Sequence, residues 1–179
     1  MTDPLAVLQR IRETRPRQPP PGEVCELCTE PVGEVHGHLV DLHSRSLMCA
    51  CRGCYLLFSS EGSGGGHFRA VPDRHLVLDG FQLSAAQWEG LQIPVGVAFF
   101  FFNSELGRVA AFYPGPAGAT ESELPLEAWE VVVDANPGLA SLVPDVEAVL
   151  VRAERDRSGL ECFIVPIDAC YELVGRLRR

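Results

Sequence analysis

Apolar positions change their spacing several times along the chain, and each change marks an element. Leu5, Leu8 and Ile11 recur at helical spacing within residues 4–14. "RPRQPPPGE" (15–23) then ends that pattern, and three consecutive prolines favour an extended arm. "HGHLVDL" and "SLMCA" read as two short strands turning at "HSR". "CRGCYLLF" opens a short helix, with Tyr55, Leu57 and Phe58 expected to pack beneath it. "SSEGSGGG" (59–66) has the composition of a flexible linker.

Beyond the glycines, strand and helix patterns mix. "FRAVP" and "RHLVLD" read as short strands, and "LSAAQWEGL" (83–91) as a helix capped by Ser84. "VGVAFFFFNSELGRVAAFYPG" (95–115) predicts a hairpin, two apolar runs around "NSELGR". "PGPAGATES" reads as a loop. "LPLEAWEVVVDANPG" predicts a helix opened by Pro125, against the strand preference of Val131, Val132 and Val133. "VEAVLVRAERDRSGLECFIVPID" predicts a second hairpin, turning at "ERDRSG". "DACYELVGRLRR" closes as a helix capped by Asp168, with an apolar face of Cys170, Leu173, Val174 and Leu177. Its arginine-rich last turn suits the negative end of the helix dipole. The expected class is α+β, a mainly antiparallel sheet with helices on one side, preceded by a small cysteine-rich module. The expected organisation is an N-terminal helix and arm (1–23), the module (24–58), the linker (59–66) and an α+β domain (67–179).

Composition narrows the function. Of 179 residues, 46% are apolar and 22% charged, as in an ordinary globular protein. The apolar run "IPVGVAFFFF" (93–102) is too short for a membrane span. The first residues lack the continuous apolar stretch of a signal peptide, so a cytoplasmic location is expected. All fifteen basic residues are arginine, a codon-usage signature of a GC-rich genome. A net charge of −9 argues against nucleic acid as the main partner. Arg10, Arg12, Arg15 and Arg17 form the one basic stretch and read as a solvated run.

In a reducing compartment, cysteines tend to be metal ligands rather than disulfides. Cys25-x-x-Cys28 and Cys51-x-x-Cys54 are two CxxC pairs separated by 22 residues. Four thiolates complete a tetrahedral shell, and the gap leaves room for the expected hairpin. A knuckle, a hairpin and a helix carrying the second pair resemble a treble-clef zinc finger. Cys25, Cys28, Cys51 and Cys54 are the expected ligands of a structural zinc. Cys49 could replace Cys51, but the two-residue spacing favours Cys51, leaving Cys49 a buried thiol.

His36, His38 and His43 raise a catalytic alternative, because a treble clef with hairpin histidines resembles the ββα-metal nucleases. Those need a histidine on the helix, and "CRGCYLLFSSEG" has none. A four-thiolate zinc has no open position for chemistry, so the histidines are expected to bond the sulfurs or the hairpin backbone. The same four cysteines could hold rubredoxin-like iron. Rubredoxin knuckles place glycine after the second cysteine, where this chain has Thr29 and Tyr55. His67 and His75 read as surface residues, Cys162 and Cys170 as core thiols, and "GSGGGH" as no phosphate loop.

"CELC", "HGHLVDL", "LMCACRGCYLLF", "GGGHFRAVPDR", "IPVGVAFFFF", "FYPGPAGATES" and "PIDACYELVG" resemble an actinobacterial domain-of-unknown-function family encoded beside NiFe-hydrogenase genes. The resemblance implies an accessory, assembly or electron-transfer role and supplies no catalytic residues. The expected function is a non-enzymatic, zinc-binding accessory protein for a protein partner, such as a hydrogenase subunit or maturation factor. The rival expectation is a four-cysteine iron protein that carries electrons.

Overall fold

A computed structural model describes residues 22–60, 62–122, 126–153 and 160–177. The helix expected over 4–14, the proline arm before Gly22, Pro125 and the "ERDRSG" turn lie outside these residues. Among the described residues no helix is long and apolar enough to cross a membrane.

The cysteine-rich region builds a three-stranded antiparallel sheet in the order β2-β1-β3. β1 (Gly37–Asp41) and β2 (Ser46–Ala50) form the expected hairpin, with His38 opposite Cys49. β3 (Phe68–Ala70) joins the free edge of β1, so the sheet draws on both sides of the glycine-rich stretch. Residues Ser63–Gly66 of that stretch form a 3-10 turn against Phe58, whose ring a Cβ at Gly64 would meet at 2.5 Å. Helix α1 (Arg52–Leu57) follows β2 directly. Leu57 does not pack beneath it as expected: 65% of its surface is exposed, because α1 has only 6 residues and buries none of them.

The rest of the described chain is a six-stranded antiparallel sheet in the order β4-β9-β8-β5-β6-β7. Its strands are β4 (Leu76–Val77), β5 (Val97–Asn103), β6 (Arg108–Gly115), β7 (Gly118–Ser122), β8 (Glu147–Ala153) and β9 (Leu160–Pro166). Three helices complete it: α2 (Ala85–Gly90), α3 (Leu126–Ala135) and α4 (Ile167–Leu177).

The four consecutive phenylalanines of β5 explain the core. Side chains alternate across a strand, so Phe99 and Phe101 point to one face and Phe100 to the other. Phe99 and Phe101 join Val40 of β1, Leu42 just after it, and Cys170 and Val174 of α4. Phe100 stacks on Trp129 of α3 at 4.7 Å, with Leu91, Val132 and Leu139 around it. Fully burying each such ring stabilises the fold by roughly 1.5–3 kcal/mol. Helices therefore cover both faces of the large sheet, not one side as expected, because β5 and β8 are apolar on both faces. Val131–Val133 stay helical because Trp129 and Val132, three positions apart, share the buried face.

Three expectations at element ends change. "PGPAGATES" is not a loop: Ala119 and Thr120 pair with Pro114 and Tyr113 as the edge strand β7. Asp168 is not the cap of α4, which begins at Ile167; its carboxylate instead accepts from the Ala169 N–H and from His38. Leu177 leaves the apolar face and is 55% exposed, while Cys170 and Val174 stay buried. Ser84 caps α2 as expected, accepting from Gln87 N–H while the Gln87 side chain accepts from Ser84 N–H.

Two arginines after β1 fasten the small sheet to the large one. Arg69 of β3 donates to Asp145 at 3.1 Å and to the Pro144 carbonyl at 3.0 Å. Arg74 grips Glu147 of β8 with two hydrogen bonds of 2.7 and 2.6 Å, and Glu147 is fully buried.

Candidate metal centre

The first CxxC pair sits on a tight turn. Thr29 N–H donates to the Cys25 carbonyl and Cys25 N–H to the Glu30 carbonyl, each at 2.8 Å. Thr29 adopts a left-handed φ of 63° to close the turn, the conformation glycine usually supplies in such knuckles. Glu26 docks the turn on β2: its N–H donates to the Cys49 carbonyl, and its carboxylate accepts from Cys49 N–H at 2.6 Å.

The second pair sits at the start of α1. Cys51 is the residue before the first helical turn, and its sulfur accepts from Cys54 N–H at 3.5 Å. The order of the module is therefore knuckle, hairpin, helix, as in a treble clef. Tyr55 fixes α1 against the hairpin, with its ring over Gly37 and its hydroxyl donating to the Val71 carbonyl at 2.9 Å.

These turns bring the sulfurs of Cys25, Cys28, Cys51 and Cys54 within 4.8 Å of one another. Cys28 and Cys51 are 3.6 Å apart. Four sulfurs at tetrahedral positions about 2.3 Å from one ion stand about 3.8 Å apart, so the residues fit a four-thiolate metal ion.

Electrostatics favour a cation there. Burial pushes the Cys25 thiol up, but the N–H groups of Cys51, Cys28 and Leu27 outweigh it and bring it down to about 6. Burial pushes Cys54 up to about 12, helped by the sulfurs of Cys28, Cys25 and Cys51. Cys28 is held down by the Glu30 N–H, yet the Cys25 and Cys51 sulfurs raise it overall. One sulfur takes up charge readily and its neighbours then resist, so a cation among them relieves the repulsion.

Cys49 lies outside this group. It stands with His36 and His38, their ligand atoms within 4.8 Å of one another. The histidine rings are 4.8 Å apart. Neither takes a cysteine sulfur as hydrogen-bond partner: His36 Nδ1 meets the Gly33 carbonyl at 2.8 Å, and His38 Nδ1 the Asp168 carboxylate at 2.7 Å. Asp168 was not legible as a histidine partner, because 130 residues separate the two. His43 lies on the hairpin turn, its ring 4.3 Å from that of His67 and tilted to it by 51°, while His67 bonds Asp41 at 2.9 Å. His75 is exposed, and Cys162 and Cys170 are buried core thiols. Beside the hairpin a groove of about 840 Å³ is lined by His36, His38, Cys51, Tyr55 and Asp168.

No curated protein and no solved structure matches the chain. Residues 24–179 match the family of unknown function DUF5947, and the chain belongs to that family.

Proposed function

We propose that this chain is a non-enzymatic accessory protein of the cytoplasm whose four-cysteine module holds zinc and serves to bind a protein partner. The observation that carries the reading is the convergence of Cys25, Cys28, Cys51 and Cys54 from a knuckle and a helix start. Four thiolates close the coordination shell, so the ion acts on folding rather than on a substrate. A partner is supported by three exposed apolar side chains of the module, Val35 at 97%, Leu56 at 52% and Leu57 at 65%. The resemblance noted in the sequence points to a NiFe-hydrogenase subunit or maturation factor as that partner.

A rubredoxin-like iron protein is the second reading, favoured by the left-handed Thr29, which gives the first pair a rubredoxin-type knuckle. Against it, the second pair opens a helix instead of forming a matching knuckle. Metal analysis and a visible spectrum of chain purified without added metal separate the two. Colourless protein with zinc on the four cysteines supports the first; red protein with iron absorption overturns it. Affinity capture from the native host, repeated with Leu56→Asp and Leu57→Asp together, tests the partner. A hydrogenase component captured equally well by both forms counts against the exposed leucines.

A further inference from the structure

The geometry points to a second metal site, distinct from the four cysteines, in which His36, His38 and Cys49 bind one zinc-like divalent ion. His38 and Cys49 are cross-strand partners in the β1–β2 hairpin, and His36 precedes His38 by two positions on the same face. One ring nitrogen of each histidine and the Cys49 sulfur lie within 4.8 Å of one another. A carbonyl and a carboxylate can only accept, so both Nδ1 atoms donate, and in the neutral ring each Nε2 keeps a free lone pair. Histidine ligands are usually held this way, with the second nitrogen bonded to a carboxylate or a backbone carbonyl.

The independent sign of a ligand is His36 Nε2. Its side chain is only 8% exposed, and this nitrogen is buried with no hydrogen-bond partner among the described residues. The Glu23 carboxylate, another acceptor, stands 3.7 Å from it. A buried imidazole nitrogen facing an acceptor with no donor between them is costly, and a cation satisfies both. Two imidazoles and one thiolate suit borderline ions such as Zn²⁺ and Co²⁺. Three protein donors leave a fourth position, and the groove lined by both histidines gives it access to small molecules.

The full chain, reduced and free of metal, is titrated with Co²⁺ and freed of unbound ion before metal is counted. Expected are two equivalents in the wild type, and one in His36→Gln and in Cys49→Ser with the intense four-thiolate absorption kept. Cys28→Ser should instead lose that absorption and keep the weaker bands of a single-thiolate ion. A single equivalent in the wild type, or two in both His36→Gln and Cys49→Ser, overturns the site. Variants that fail to fold do not decide the matter, because a second readout uses the wild type alone. On adding the second equivalent of Zn²⁺, the Nε2 resonances of His36 and His38 should shift; resonances that stay put overturn the site. Failure of the four-cysteine reading would show separately, as absent four-thiolate absorption.

Discussion

His38 Nδ1 donates to the Asp168 carboxylate at 2.7 Å, joining the first strand of the cysteine-rich sheet to the last helix of the chain. Both side chains are about three-quarters buried, at 24% and 26% exposure, so water weakens the bond without abolishing it. A double-mutant cycle with His38→Ala and Asp168→Ala should give a coupling of about 1 kcal/mol in urea unfolding. Additivity within about 0.3 kcal/mol would mean that the contact couples nothing.

Much of the chain was legible because its signals are local. CxxC spacing, the paired apolar runs of the two hairpins and the Ser84 cap each need only a few neighbouring residues. β7 was hidden by its prolines and glycines. Pro114 is tolerated in β6 because the β5 ladder stops at Phe112, leaving its missing N–H without a partner to disappoint. Gly115 is needed because a Cβ there would lie 2.1 Å from Thr120 Oγ1. Helices on both faces could have been read from "AFFFF", since a strand without alternation is buried on both sides. The pairings of His38 with Asp168 and Arg74 with Glu147 leave no trace in the sequence. They depend on which strand lies beside which, and that is set by the whole core.

Metal removal should act locally. Helix α1 has six residues and none buried, and so short a helix does not hold itself in water. By contrast, Val40 and Leu42 pack with Phe99 and Phe101, and β1 stays bonded to β3 without any ion. Chelation should therefore speed amide exchange in residues 25–30 and 52–58 by at least tenfold and leave β5 and β8 protected. Unchanged exchange in α1 would show that the four cysteines do not hold the module through a metal.

Gly37 and Gly53 offer a matched pair of substitutions. A Cβ at Gly37 would lie 2.5 Å from Tyr55 Cδ2, while one at Gly53 would meet only Cys51 Sγ at an ordinary 3.9 Å. Gly37→Ala should cost about 1–3 kcal/mol by pushing Tyr55 and α1 away from the hairpin. Gly53→Ala should gain about 0.5–1 kcal/mol from helix propensity. Thermal unfolding of the metal-loaded chain reads both, and equal effects would contradict the packing of Tyr55 on Gly37.

Arg74 holds a carboxylate that has no contact with water. Glu147 is fully buried, accepts two bonds from the guanidinium and a third from Val143 N–H at 2.8 Å. Arg74→Ala should cost about 3 kcal/mol, the lower end for a broken buried pair, because the arginine side chain is itself 39% exposed. Replacing the pair together, Arg74→Met with Glu147→Leu, should recover most of that loss. If the double variant is as unstable as Arg74→Ala, the stranded charge is not the cause.

Asp41 gives the fold a defined acid response. The Ser44 N–H lowers its carboxyl most; burial opposes this, and the Ser44 hydroxyl, His67 and the His43 N–H add to the lowering, leaving it at about 2 against an ordinary 3.8. A depressed carboxyl binds fewer protons in the folded chain than in the unfolded one. Its stabilising contribution is therefore complete above about pH 4 and is lost as pH falls through about 2. Denaturant midpoints followed between pH 5 and pH 2 should fall less steeply in Asp41→Asn than in the wild type, after both are compared with their own values at pH 5. Parallel curves would mean that the hairpin turn holds Asp41 no more tightly than water does.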